Sequence, residues 1–175
     1  MKKPHLLNRK WSFWVTKCVE TEYHDRLEQA GHVQTVEDFW NVYLHLRRPS
    51  EHADKVDLCL FQEGISPEWE DESNINGGRV TVRLRKGYGD ICFEKLLLGL
   101  VGGVFNSTVC GIVFCVRKVD DVLTVWNNTT DTEEVENVKK TMLLLLDLKD
   151  DSPFEYRTHL SSIKKLGVQP QKEAV

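Results

Sequence analysis

The segment RVTVRLR, residues Arg79–Arg85, alternates apolar side chains with polar and basic ones. In an extended strand, Val80, Val82 and Leu84 would share one face, and the arginines would share the other with Thr81. A strand with one apolar and one polar face is typical of an antiparallel sheet that is covered on a single side. The segment therefore predicts a sheet with its core on one face and a polar surface on the other.

Other segments along the chain extend this prediction to an α+β fold. Further strands are predicted at Trp11–Val15, Lys55–Phe61, Val109–Arg117, Val122–Asn127 and Pro153–Arg157. Helices are predicted from a capping box at Thr35–Asp38, from about Cys92 to Val101, and from Asp131 or Thr132 onward. The polar segment Glu20–Gln34 is predicted to be a loop. These elements favour one antiparallel sheet with the helices on one side.

The length and charge of the chain limit its class. Its 175 residues fit one domain, predicted to span residues 1–166, with a flexible tail at residues 167–175. The formal net charge of −4 argues against a protein that binds nucleic acid mainly through phosphates, because such proteins need a basic face. Recognition of one particular nucleotide stays open.

Cysteine and histidine usage gives no indication of a metal or cofactor. The 5 cysteines lack a CxxC pair, and most lie among apolar neighbours, which favours reduced, buried thiols. The 6 histidines are scattered, and none stands at metal-ligand spacing to a cysteine. No apolar run is long enough to span a bilayer or to act as a secretory signal, so a cytoplasmic location is expected.

An enzymatic function has weak support in the sequence. Gly87-Tyr88-Gly89 has the spacing of a phosphate loop but lacks the GxxxxGKS/T frame, and it is predicted to follow a strand without opening a helix. Its likeness to the acetyl-CoA loop of N-acetyltransferases is reduced by Leu84, where that loop has Arg or Gln. No nucleophile stands in a strand–turn–helix elbow. A nucleotide- or CoA-dependent enzyme is therefore the last of the alternatives.

Aromatic residues in polar surroundings give a stronger indication. Trp69 stands among acids in PEWEDESNINGGR, residues Pro67–Arg79, while Trp126 ends a strand before a polar stretch and Tyr23 lies in the predicted loop. Each ring could pack in the core or contact a ligand, and the residues alone leave both open. Together with a nearby glutamate and basic strand residues, the rings would form a base-stacking site.

Several motifs make the sequence similar to a known family. TVEDFW at Thr35–Trp40, the PxWEDExNxxGGR frame at Pro67–Arg79, HLLNRKW at His5–Trp11 and the spacing from Arg117 to Trp126 closely resemble eukaryotic translation initiation factor 4E, the mRNA cap-binding family. The match continues in order to about Lys165. The resemblance implies a single curved antiparallel sheet with three helices on its convex face. It also implies a cap that is held in a slot on the concave face.

The resemblance assigns a role to each of the aromatic residues. Methylation at N7 makes guanine cationic, which strengthens its stacking on aromatic faces. Tyr23 and Trp69 would sandwich the base, and the Glu70 carboxylate would accept hydrogen bonds from its N1–H and N2 amino group. Trp126 would contact the methyl group. The family more often has tryptophan at the position of Tyr23, and tyrosine occurs in the branch that resembles cap-binding repressors.

The phosphate end of the cap site is where the sequence departs from the family. The resemblance implies that Arg117 binds the phosphates and that Lys165 closes over them. Arg79 would either steady Glu70 or reach the phosphates itself. The lysine that the family has five residues beyond the phosphate-binding arginine is replaced here by Val122. The phosphate contacts are therefore the part of the resemblance that the residues support least.

The helices also carry a partner surface by resemblance. The family binds the YxxxxLφ helix of the scaffold factor 4G and of repressors on its convex face. Lys95 stands where the family typically has glutamate, which would disfavour the basic residue of that motif, so a partner of altered sequence is expected. The residues assigned to this surface are His5, Leu6, Val36, Glu37, Trp40, Lys95 and Leu98.

The sequence thus predicts a monomeric, non-enzymatic protein that binds the 7-methylguanosine cap of mRNA and a 4G-like scaffold in translation initiation. A cap-binding translational repressor or specialised paralogue is the main alternative within the family. A relative of the same fold that acts only as a protein-interaction module is the alternative without cap binding. No cofactor, metal or membrane is predicted to take part.

Overall fold

The computed structural model describes residues 3–16, 23–52, 55–149 and 154–165, with only the backbone of Tyr23. Its strands are β1 (Leu6–Thr16), β2 (Leu27–Thr35), β3 (Val56–Gln62), β4 (Gly78–Arg85), β5 (Val109–Val116), β6 (Asp120–Asn127) and β7 (Glu155–Thr158). Its helices are α1 (Tyr23–Arg26), α2 (Val36–Tyr43), α3 (Gly89–Val101), α4 (Thr132–Leu146) and α5 (His159–Lys165), with a 3₁₀ turn at Pro49–Glu51. The predicted tail, residues 167–175, lies outside the described residues.

The strands form one seven-stranded sheet in the order β2-β1-β3-β5-β6-β4-β7. Every neighbouring pair is antiparallel. Strands that follow each other in the chain, such as β3 and β4, are not always neighbours in the sheet, so the fold could not be read from strand order alone. The predicted α+β fold with a single antiparallel sheet is confirmed.

Strand β4 shows why the core lies on one face of the sheet. The apolar side chains of the segment Arg79–Arg85 are at most 6% exposed, whereas its last two arginines are exposed. The same core contains Phe39 of α2, Leu97 of α3 and Met142 of α4. These three helices correspond to the three that the sequence predicts.

The described part of the predicted loop Glu20–Gln34 instead forms α1 and β2, so that prediction is wrong. β2 is an edge strand that pairs only with β1, with two register shifts along the pair. Val33 is its one buried side chain. An edge strand that buries so little shows no apolar alternation in its sequence. Helix α1 has only 4 residues, which are too few for a helical period to appear.

Helix α3 begins at Gly89, before the predicted start at Cys92. The prediction that Gly87-Tyr88-Gly89 opens no helix is therefore wrong. The structure explains why both positions are glycine. Gly87 has a φ of +94°, which favours glycine, and a Cβ on Gly89 would lie only 2.7 Å from the Phe114 ring. The segment is a tight turn that lets α3 pack closely against β5.

The predicted starts of α2 and α4 are confirmed. Thr35 Oγ1 accepts a hydrogen bond from the Asp38 N–H, and the Asp38 carboxylate accepts one from the Thr35 N–H, both at 3.0 Å. Asp131 caps α4 by accepting a hydrogen bond from the Glu134 N–H at 3.1 Å. Side-chain caps of this kind satisfy backbone donors that the first helical turn leaves unpaired.

Removing the Thr35 hydroxyl should destabilise the fold. Thr35→Ala leaves the Asp38 N–H without its acceptor, so the free energy of unfolding should fall by about 1 kcal/mol. Thr35→Ser keeps the hydroxyl and should retain most of that stability. Urea unfolding followed by circular dichroism measures both variants, and an equal loss in the two would show that the hydroxyl does not stabilise the start of α2.

Candidate functional site

The face of the sheet opposite the helices carries a slot of about 680 Å³. Alternate residues of β3, β5, β6 and β4 form its floor, and the loop residues Pro67–Glu70 line one side. Paired residues of neighbouring strands point to the same face, so the β4–β6 register divides the floor into three rows. The first row contains Trp126 and Arg79, the second contains Thr124 and Thr81, and the third contains Val122 and Arg83.

The loop that carries Trp69 is held together by its own polar side chains. The Asp71 carboxylate accepts a hydrogen bond from the Ser66 N–H at 2.8 Å. The buried Asn74 side chain donates to the carbonyl oxygens of Ser66 and Glu68, each at 2.8 Å. These bonds define the path of the chain on both sides of Trp69, so the ring stands on a braced loop.

Glu70 is the acid of this loop that faces the slot without a protein partner. It is exposed, it lines the slot, and it makes no hydrogen bond or ion pair with any residue that the structure describes. Glu68, by contrast, accepts a hydrogen bond from the Ser66 hydroxyl at 2.6 Å and lies 2.9 Å from His24 Nδ1. Glu70 therefore stays accessible to a ligand, whereas Glu68 and Asp71 hold the loop.

Arg79 contacts the Trp69 ring. Its guanidinium carbon lies 4.8 Å from the centre of the ring, a cation–π contact. Burial lowers the pKa of Arg79, and the charge of Arg157 contributes further. Within the described ranges no hydrogen bond or ion pair joins Arg79 to Glu70. The structure therefore places Arg79 against the ring, and of its two predicted roles the contact with Glu70 is not seen among the described residues.

Trp126 belongs mainly to the core of the open face. It is 4% exposed, its Nε1 donates to Thr124 Oγ1 at 3.0 Å, and its ring meets Phe61 edge-on at 5.3 Å. The part of Trp126 that stays uncovered lines the slot. Of the two alternatives that the sequence left open, core packing accounts for most of this ring, whereas Trp69 is only half-buried.

Arg117 lies at the far end of the slot from Trp126. Its Nη2 lies 2.8 Å from the Asp57 carboxylate and its Nη1 donates to the Val116 carbonyl oxygen at 2.8 Å. Both members of the Arg117–Asp57 ion pair line the slot. The residue predicted to bind phosphate therefore lines the slot, with part of its charge balanced by a neighbouring carboxylate.

Several cations of the slot were not among the predicted site residues. Of these, only Arg83 could have been found from the sequence, because the alternation along β4 puts it on the same face as Arg79. The others belong to separate elements, which approach one another only in the folded chain. The missed residues are Arg26, Lys55, Arg83 and Arg157.

Helix α1 stands beside the slot, whereas the end of α5 does not reach it. Arg26 of α1 lines the slot, and His24 joins α1 to Glu68 of the Trp69 loop, which raises the pKa of His24. The side chain of Tyr23 lies outside the described residues. Lys165, the last residue of α5, is exposed and does not line the slot, so it is not placed against the predicted phosphate site.

The residues predicted to bind a partner gather around α2 and α3. The His5 N–H and Nδ1 contact the two carboxylate oxygens of Glu37 at 3.1 and 2.7 Å, and these hydrogen bonds lower the pKa of Glu37 to about 2. The Tyr43 hydroxyl donates to Glu94 at 2.7 Å and joins α2 to α3. We call the exposed apolar surface of this region the α2–α3 face; it includes Leu6, Val36, Trp40, Leu44, Ile91 and Leu98.

Other kinds of site have little support in the described part of the chain. No three or more His, Cys, Asp or Glu side chains there are grouped so that they could hold a metal ion. No helix in the same ranges is long and apolar enough to cross a membrane. Burial raises the pKa of Cys110 to about 12 and raises that of Cys115 as well, so neither supplies much reactive thiolate at neutral pH.

Comparison with known proteins establishes the family. The family model described as Eukaryotic initiation factor 4E matches residues 6–174. The chain belongs to this family. It is 33% identical over 141 residues to Eukaryotic translation initiation factor 4E-4 of Caenorhabditis elegans, a match that covers 79% of this chain and 66% of the relative. It is 36% identical over 167 residues to Eukaryotic translation initiation factor NCBP of Triticum aestivum, covering 91% and 72%.

Solved structures of initiation factor 4E proteins share the fold. Caenorhabditis elegans eIF4E-3, in a complex with the 4E-binding protein Mextli and a cap analog, superposes with a TM-score of 0.89 at 29% identity, covering 93% of this chain and 96% of that one. Ascaris suum eIF4E-3 with m7G cap gives a TM-score of 0.84 at 31% identity, covering 90% and 92%. The family and the fold that the sequence predicts are thereby confirmed.

A buried histidine lies behind the slot of this initiation factor 4E relative. His159, the first residue of α5, is 0% exposed, and its ring centre lies 4.3 Å from that of Trp126. Neither ring nitrogen has a hydrogen-bond partner among the described residues. Burial, aided by the positive charge of Arg79, lowers the pKa of His159 to about 3. The folded chain therefore holds a neutral imidazole against the slot floor at neutral pH.

Acidification should destabilise the fold through His159. A histidine in the unfolded chain titrates near pH 6.5, so the unfolded state binds the extra proton between pH 6.5 and about 3. The free energy of unfolding should be largest above pH 6.5 and fall as the pH is lowered, by up to about 1.4 kcal/mol per pH unit from this group. Urea unfolding at about pH 7.5 and about pH 5 measures the fall.

His159→Phe is the matched variant for this measurement. It keeps an aromatic ring beside Trp126 and removes the titrating group. Its free energy of unfolding should therefore depend less on pH than that of the wild type, by the equivalent of about one proton. The same pH dependence in both proteins would contradict a buried neutral imidazole.

Proposed function

We propose that the chain binds the 7-methylguanosine 5′ cap of mRNA in the slot. The observation that carries this proposal is the placement of a half-buried tryptophan, Trp69, at a slot lined with arginine and lysine side chains. Beside it stands Glu70, a carboxylate that has no partner among the described residues. Structural relatives support it, because C. elegans eIF4E-3 has been solved with a cap analog and Ascaris suum eIF4E-3 with m7G and m2,2,7G caps.

The slot offers groups suited to each part of a cationic guanine. One face of Trp69 contacts the Arg79 guanidinium, and the methylated base is proposed to stack on the other. Tyr23, carried by α1 beside the Trp69 loop, is proposed as the second ring. Glu70 would accept hydrogen bonds from the guanine N1–H and N2 amino group, a pairing that adenine cannot offer. The uncovered edge of Trp126 would contact the methyl group.

These few contacts are enough for a useful affinity. Each aromatic stack contributes roughly 1–3 kcal/mol, and hydrogen bonds to a charged carboxylate contribute about 1.5–3 kcal/mol. After the cost of association, a dissociation constant of about 1 μM or below is reasonable. Stacking favours the methylated base, because unmethylated guanine lacks the positive charge. A chain with a net charge of −4 can therefore bind capped RNA by one end.

We propose that the α2–α3 face binds a helical segment of a scaffold protein. Val36, Trp40 and Leu98 expose apolar surface there, as the groove for an amphipathic helix requires. A relative supports this, because C. elegans eIF4E-3 has been solved with the 4E-binding protein Mextli. Lys95 is exposed on α3 and would attract an acidic residue of the partner and repel a basic one.

The proposed role is translation initiation, with the cap bound on one face of the sheet and a 4G-like scaffold bound over the helices of the other. A cap-binding repressor or specialised paralogue is the second candidate. The observation that favours it is the exposed Lys95 on α3, which calls for a partner of altered sequence. Neither role requires a reaction at the site, and the protein is proposed to act without catalysis, as a monomer, in the cytoplasm.

Changing Trp69 or Glu70 should weaken cap binding without unfolding the chain. Trp69→Ala removes one stack and Glu70→Gln removes the charged acceptor, so each should lower the affinity for 7-methyl-GTP by about tenfold or more. Isothermal titration calorimetry with 7-methyl-GTP and with GTP measures affinity and selectivity together. Equal binding of the two nucleotides by the wild type would refute stacking on a cationic base.

Glu72→Gln is the matched control for Glu70→Gln. Glu72 is an exposed acid of the same loop that does not line the slot. Its replacement should change the affinity for 7-methyl-GTP by less than about twofold, as expected for an exposed charge outside the site. Similar losses in the two variants would assign the effect to the charge of the loop as a whole.

Charge reversal at Lys95 should change the partner sequence that the α2–α3 face prefers. Two labelled YxxxxLφ peptides, one with a basic and one with an acidic residue in the motif, can be compared by fluorescence anisotropy. The wild type should prefer the acidic peptide by about two- to fivefold, and Lys95→Glu should prefer the basic one. An unchanged preference would contradict the charge contact. Trp40→Ala should remove binding of both peptides and leave the affinity for 7-methyl-GTP unchanged.

A further inference from the structure

The third row of the slot floor crosses the sheet from β3 to β4. Asp57 of β3 is paired with Cys115 of β5, Cys115 with Val122 of β6, and Val122 with Arg83 of β4. All of them line the slot. Paired side chains of neighbouring strands have Cβ atoms roughly 5 Å apart. Arg83 therefore stands directly beside Val122, on the same face.

The third row lies at a fixed distance from the base end of the slot. Trp126 and Val122 are both on β6, and Arg79 and Arg83 are both on β4, with four residues from the first row to the third in each strand. At a rise of roughly 3.3 Å per residue, the rows are about 13 Å apart. Arg117 is ion-paired with Asp57 of the third row, so a phosphate chain that runs from a base at Trp69 to Arg117 would pass along the floor to this row.

The cations at this end of the slot differ in how much of their charge is available. Arg117 forms an ion pair with Asp57 at 2.8 Å, which balances part of its charge. Arg83 is exposed and has no hydrogen bond or ion pair with any residue in the described part of the chain. Val122 supplies no charge at all. Arg83 is therefore the one cation within the third row, whereas Arg117 and Lys55 line the slot outside that row.

We propose that Arg83 binds the phosphate chain of the capped nucleotide, and supplies from β4 the positive charge that the paired position Val122 on β6 lacks. The planar guanidinium can donate two parallel hydrogen bonds to one phosphate, which an isolated ammonium group cannot do. Phosphate oxygens between Arg83 and Arg117 would meet donors from both sides of the slot floor. This inference rests on the proposed cap site. It adds a contact that determines how much the phosphates contribute to the affinity for the cap.

The test compares 7-methyl-GTP with 7-methyl-GMP, which keeps the base and lacks the two outer phosphates. Arg83→Ala should lower the affinity for 7-methyl-GTP by about three- to tenfold, while changing that for 7-methyl-GMP by less than about twofold. Loss of a phosphate contact should also make binding of 7-methyl-GTP less sensitive to salt. Titration calorimetry at two salt concentrations measures both effects, and the thermal unfolding midpoint should stay unchanged because Arg83 is exposed.

Arg85→Ala is the matched control. Arg85 is an exposed arginine of the same strand, paired with Asp120, and it does not line the slot. Its replacement should change the affinity for either nucleotide by less than about twofold. Losses of similar size in Arg83→Ala and Arg85→Ala would overturn the inference, since they would reflect the overall charge of β4.

Moving the cationic side chain from β4 to the paired position on β6 completes the test. Adding Val122→Lys to Arg83→Ala returns a cation to the paired position and should restore part of the affinity for 7-methyl-GTP. No recovery would overturn the claim that a charge at either position of the pair serves the phosphates. If the wild type binds 7-methyl-GTP and Arg83→Ala binds it equally well, this inference alone fails. If the wild type does not bind 7-methyl-GTP, the proposed function fails and this inference with it.

Discussion

The alternation of side chains along β4 and β6 is the constraint on which both surfaces of the molecule depend. Successive residues of a strand point to opposite faces, so the segment that buries Val80 and Val82 under the helices also presents Arg79 and Arg83 to the slot. A slip of one residue between these strands would expose the valines and bury the arginines. The free energy of the core under the helices therefore maintains the geometry of the slot, although the two valines face away from it.

The loop that carries Trp69 is held in place by contacts within the protein. Asp71 and Asn74 hold the loop that carries Trp69, and the Arg79 guanidinium supports the ring from the first row of the floor. A braced loop loses less conformational freedom when a base stacks on its ring than a mobile loop would, which favours binding. The α2–α3 face lies over the helices on the opposite side of the sheet. A ligand in the slot and a helix on that face can therefore bind at once without sharing a residue.

Sequence patterns predicted the helices and strands that are determined by residues close together in the chain. The capping box of Thr35 and Asp38 marks the start of α2, and alternation marks β4, because both depend on residues adjacent in the chain. β2 was missed because it buries only Val33 at the sheet edge. The start of α3 was placed too late because the reason for Gly89 is the ring of Phe114, which belongs to another strand. Both elements are fixed by contacts with another strand, β2 by its pairing with β1 and the start of α3 by its packing on β5.

The same division holds for the candidate site. The sequence by itself determined the family, the single-sided sheet and the pairing of Trp69 with a neighbouring acid, since motif and alternation are contained in contiguous residues. Only the tertiary structure decided that Glu70 lines the slot without a partner among the described residues, that Arg79 lies against Trp69, and that Arg83 stands opposite Val122. The physical reason is that these contacts follow from strand register and loop packing, which bring together segments that the linear sequence keeps apart.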